Sequence, residues 1–181
     1  MILALKSFLK KFFRILNLEI SLYKNSKSLI DNEYFIPFNK KDIDSKLYDL
    51  GLEKSENQKS DNIYKHLRFY SLIQLVRQVI NKKINGDFVE CGCWRGHSSY
   101  IISEIISKSN QNINFHIFDS FEGLSEFVIE DQNFFYSNKE DKKNISKHFD
   151  SSELFVKDKV LGKFDFVKTY KGWIPKRFNE V

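Results

Sequence analysis

A chain that carries the run G-D-F-V-E-C-G-C-W-R-G-H-S-S, Gly86 to Ser99, has few folds open to it. A short apolar strand breaks into a turn with two glycines and then a helix, the outline of a ligand-binding βα junction in a parallel sheet. Phe88, Val89 and Cys91 suit a buried strand, Gly92 and Gly96 let backbone turn sharply or approach a ligand, and Ser98 and Ser99 stand at a helix start. Free backbone N–H groups at such a helix start attract an anionic group.

Spacing separates the two ligand classes that use this junction. A dinucleotide fingerprint requires G-x-G-x-x-G, whose second glycine lets the pyrophosphate touch backbone. Here Trp94 occupies that place, which disfavours close pyrophosphate packing and hence a nicotinamide cofactor. Glu90, at the end of the strand, suits a ligand that presents an ammonium. Asp119 ends the next strand, where ribose hydroxyls would lie, so the pair favours S-adenosylmethionine over NAD. Asp119 also has a plain reading, as the residue that starts an Asx turn.

Around the junction the periodicities are those of an α/β chain. Ser60, Asp61 and Asn62 can cap a helix that begins near Ile63, with Leu67, Leu72, Leu75, Val76, Val79 and Ile80 at helical spacing. Arg68 in that helix reads either as a carboxylate contact or as plain surface. Ile101, Ile102, Ile105 and Ile106 give a second stripe that faces the sheet, and Asn114 to Phe118 a second strand. Ser120 and Phe121 follow Asp119 at the border of an adenine site. Leu124 to Lys143 has aromatics without a period and reads as a loop on the acceptor side, with core packing as the plainer role for its rings. Asp150 and Glu153 resemble a capping box, Gly162 a C′ glycine, and Phe164 to Tyr170 a third strand.

Composition excludes more than it selects. A net charge of +5 comes from lysines scattered among acids, with no basic stripe, so nucleic acid is not an expected partner. Both cysteines fall in one C-x-C, Cys91 and Cys93, which suits neither an easy disulfide nor zinc, and fits a reducing, cytoplasmic setting. His66, His97, His116 and His148 are isolated, without metal spacing. His97 alone follows a glycine at a helix start, where it can either reach a cofactor carboxylate or face solvent. Residues 1–17 form an amphipathic stripe, too charged to span a bilayer, that packs on the body or on a second subunit; a membrane surface is the alternative partner. The broken pattern from Leu18 to Asn62 predicts an exposed linker, which divides the chain into an N-terminal helix and linker, 1–62, and a domain, 63–181.

V-E-C-G-C-W-R-G-H-S, then F-D-S-F-E-G-L from Phe118 to Leu124, then Y-K-G-W-I-P from Tyr170 to Pro175, resemble the macrocin O-methyltransferase (TylF/MycF) family, in order from about Tyr64 to the last residue. The resemblance implies a Rossmann-like class I methyltransferase fold and transfer of a methyl group from S-adenosylmethionine to a sugar hydroxyl of a saccharide acceptor. Its cofactor positions carry over onto Glu90, Gly92, Gly96, Ser98 or Ser99, Asp119 and Ser120. His97 stands where the family commonly has glycine, and Cys93 where it has valine. The family's magnesium ligands and its deprotonating groups lie beyond the third βα unit and have no counterpart in this chain, so no catalytic residue is assigned. The expectation is therefore an incomplete fold of three parallel strands in the order 3-2-1, after an N-terminal helical segment, with the first strand bare at the edge and little activity alone. The rival expectation is a non-catalytic module completed by another chain.

Overall fold

The computed structural model describes residues 43–125 and 147–181. The stripe of residues 1–17 and nearly all of the aromatic stretch 124–143 lie outside the described residues. Helix α1 (Ile43–Lys54), a 3-10 turn (Gln58–Ser60) and helix α2 (Ile63–Asn81) lead into β1 (Phe88–Cys91). Helix α3 (His97–Ser107), β2 (Phe115–Asp119), a π-helical turn (Phe155–Val160), β3 (Val167–Lys171) and a final 3-10 turn (Lys176–Glu180) follow.

The three strands are parallel in the order β1-β2-β3, with Phe88 opposite Phe115 and Phe115 opposite Val167. Each crossover therefore carries a helical element, as parallel pairing demands. On one face Phe115 and Ile117 meet the buried row Ile101, Ile102, Ile105 and Ile106 of α3, the stripe expected from its spacing. On the other face the rings of Phe118 and Tyr170 stack at 4.6 Å, and Phe178 meets Phe118 edge-on at 5.1 Å. Among the described residues β1 is the edge strand of this sheet, and Val89 is 56% exposed on it.

The expected linker is corrected over residues 43–60. α1 brings Leu47, Tyr48 and Leu52 into the core, so the domain's packing begins before residue 63. Its polar surroundings concealed it, because Asp44 and Ser45 are buried as well and no clean apolar stripe results. α2 is capped as expected, Asn62 accepting from the Lys65 N–H at 2.9 Å, but its buried row is Ile73, Val76 and Ile80, and Leu75 is 59% exposed.

Two further expectations change. Ser152, not Asp150, accepts from the Phe155 N–H at 3.3 Å, and Glu153 accepts from the Thr169 hydroxyl at 3.0 Å instead of closing a capping box. Gly162 is not left-handed. It is small because a Cβ there would stand 2.4 Å from the Asp158 carbonyl oxygen.

Candidate functional site

The site lies at the carboxyl ends of β1 and β2, where open α/β sheets bind ligands. Gly92 leaves β1 at φ 87°, a left-handed conformation, and a Cβ on it would meet nothing within 4 Å. The space above it is open, and its backbone can approach a ligand. Gly96 is also left-handed, φ 78°, but a Cβ there would press on Val156 at 3.1 Å and Val160 at 3.3 Å. It serves the packing of the π-helical turn against the start of α3, not the ligand.

Glu90 and Asp119 flank Gly92, the first lying two residues before it in β1 and the second hydrogen-bonded to the N–H of the residue after it. The half-buried Glu90 carboxylate receives the hydroxyls of Ser98 and Ser99, each at 2.5 Å. Burial pushes its pKa above the ordinary carboxylate range, against these two donors, and the neighbouring Asp119 adds to the rise. It is an acid short of a cation. Ser98 and Ser99 therefore orient Glu90, each through its hydroxyl hydrogen.

Asp119 holds the turn together. One carboxylate oxygen, Oδ2, accepts from the backbone N–H of Cys93 at 2.6 Å and of Trp94 at 2.9 Å, while Oδ1 accepts from Phe121 N–H at 2.8 Å. The last of these is the Asx turn of its plainer reading. A carboxylate offers about four lone-pair positions, so with three filled roughly one remains for a ribose hydroxyl.

His97 and Ser120 stand elsewhere than expected. His97 is 3% exposed, its Nε2–H donates to the Tyr48 carbonyl at 3.0 Å, and its ring lies 4.3 Å from that of Phe69. Burial pushes its pKa down to about 3, helped by the Lys65 charge. It faces the helical core, neither a cofactor nor solvent. Ser120 is buried and spends its hydroxyl on the Gly123 carbonyl at 2.8 Å and the Glu122 N–H at 3.2 Å, and Phe121 belongs to the core. Arg68 is exposed.

Trp94 was read only as an obstacle to a dinucleotide, yet it walls the site. It is left-handed at φ 50°, its ring packs against both His148 at 5.3 Å and Phe149 at 5.5 Å, and its carbonyl accepts from the Ser151 hydroxyl at 2.7 Å. Its indole N–H is buried without an acceptor, the kind of orphan donor that a bound molecule satisfies. A bulky residue held at positive φ was the signal available, and it becomes visible only with coordinates. Among the described residues there is no group of three or more His, Cys, Asp or Glu side chains that could hold a metal ion. No described helix is long and apolar enough to cross a membrane.

Among solved structures, the O-methyltransferase NovP is similar at 23% identity with a TM-score of 0.45, over 59% of this chain and 45% of that one. The chain thus spans less than half the length of that protein. Among curated proteins none matches. The family model described as macrocin-O-methyltransferase (TylF) matches residues 29–178, most of the sequence and all three of the motifs that first suggested it, and the chain belongs to that family.

Proposed function

We propose that the chain carries the cofactor half of an S-adenosylmethionine-dependent O-methyltransferase that acts on a sugar hydroxyl. The observation that carries this reading is the open space over Gly92, a glycine flanked by two acids at the carboxyl ends of parallel strands. Glu90, oriented by Ser98 and Ser99, is placed to neutralise an ammonium, and the remaining lone pair of Asp119 to take one ribose hydroxyl. The bare backbone of Gly92 admits the ligand between them.

When bound, the cofactor supplies an electrophilic methyl group on a sulfonium. The chain's residues contribute by binding and orientation, and positioning of two reactants accounts for much of the catalysis of a displacement. None of the described residues is assigned the removal of the hydroxyl proton. Titration calorimetry with S-adenosylmethionine tests the reading. Saturable binding by the wild-type chain, lost in Glu90→Ala, supports it; absence of any heat in the wild type sinks it.

The edge position and exposure of Val89 on β1 favour one second reading, a module that another polypeptide completes by adding a strand. Under it, cofactor binds only after a polypeptide encoding the rest of the fold is added. Binding of the same strength with and without that polypeptide excludes it.

A further inference from the structure

The turn between β1 and α3 is gripped by a helix some forty residues upstream. Arg95 donates its Nε–H to the Ser55 carbonyl at 2.7 Å and an Nη2–H to the Glu56 carboxylate at 3.0 Å, and its guanidinium lies 4.6 Å over the Phe155 ring. Two residues later His97 reaches the Tyr48 carbonyl, with its ring against Tyr48 and Phe69. Gly51 of α1 makes room for that ring, since a Cβ there would come within 2.7 Å of His97 Cδ2.

Ser55 and Glu56 follow the carboxyl end of α1, where the helix dipole favours a cation such as Arg95. The residue just before Arg95 is Trp94, in a conformation that a large side chain adopts only when its surroundings compel it. Asp119 fixes its N–H and Ser151 its carbonyl. The next side chain along, Arg95, fixes where the turn goes.

We propose that Arg95 and His97 are positioning residues that clasp α1 to the ligand turn, so that docking of α1 sets the turn's geometry and a ligand on the turn tightens the docking. This rests on the reading of the turn as the cofactor site. Coupling of this kind is reciprocal, so breaking the clasp weakens the ligand as much as the ligand strengthens the clasp.

Two measurements on the full chain decide it: amide hydrogen exchange at Cys93 to Gly96 without ligand, and calorimetric affinity for S-adenosylmethionine. Arg95→Ala is expected to speed that exchange and to weaken binding, each by about tenfold. Arg95→Lys, which keeps the charge near Glu56 but not the fixed fork, should recover part of both. Glu56 is 68% exposed, so Glu56→Gln folds, and it should shift both quantities in the same direction by less. If Arg95→Ala fails to fold, Glu56→Gln carries the test. A lower melting temperature with unchanged exchange and unchanged affinity overturns the clasp. If the wild type binds no S-adenosylmethionine, the cofactor reading fails by itself, and the exchange rates still decide the clasp: faster in the variants supports it, unchanged rejects it.

Discussion

Gly92 and Gly96 stand four residues apart in one turn, both left-handed, and their surroundings are opposite. Over Gly92 a Cβ would meet nothing, and the acids Glu90 and Asp119 stand close together beside it. At Gly96 a Cβ would strike Val156, and the next residue, His97, is sealed into the helical core. One sequence signature therefore combines a ligand half and a scaffold half. A glycine at a βα junction is evidence of a ligand only when the space its missing side chain leaves is empty.

Asp119 serves both halves, so its loss should have the largest effect. Asp119→Ala strips acceptors from the N–H groups of Cys93, Trp94 and Phe121. With each charge-assisted bond worth roughly 1.5–3 kcal/mol at most and water replacing some of it, a destabilisation of about 3 kcal/mol is expected in urea melts. Cofactor binding should vanish with it. Retention of wild-type stability would show that the turn holds itself.

The two glycines should then separate. Gly96→Ala combines a positive φ with a contact to Val156 and should lower stability by about 2 kcal/mol while sparing the affinity of the molecules that remain folded. Gly92→Ala has only the backbone strain, about 1 kcal/mol, but places a methyl group in the open space and should weaken S-adenosylmethionine at least about tenfold. Equal effects of the two substitutions on affinity would erase the distinction.

Legibility in the sequence followed the same division. Period-3.6 and β-rich runs disclosed α3 and β2, because each buries an apolar face that its own residues specify, whereas the strand order came with the family resemblance. α1 was hidden, since its burial depends on partners in α2 and α3 and on a glycine that admits His97. At the site, Glu90 and Gly92 were legible as residues of a strand end and a turn. The actual duties of Ser98, Ser99 and His97 were not, because each is set by a partner 8, 9 or 49 residues away that only the tertiary structure supplies. Asp119 was read correctly as a carboxylate at a strand end, but its three backbone donors come from two loops brought together by β1–β2 pairing.

The smallest change in stability, and the one of opposite sign, should come from Glu90→Gln. A carboxyl whose folded-state pKa stands above its unfolded value binds more protons when folded. Its contribution to stability is then complete below the unfolded pKa and is lost as pH rises through the folded one. At neutral pH wild-type Glu90 is therefore a cost to the free chain, and the amide, which keeps partners for Ser98 and Ser99, should leave stability unchanged or raise it by less than about 1 kcal/mol. Affinity should move the other way, because an amide cannot neutralise an ammonium. In the wild type, binding should weaken as pH falls and begin to do so above the ordinary carboxylate range of about 4 to 5, whereas the variant's residual binding should be flat over that interval. A Glu90→Gln chain that is less stable at pH 7 and still binds with wild-type strength would place Glu90 with the scaffold half, beside Gly96, and leave the open space over Gly92 without its acid.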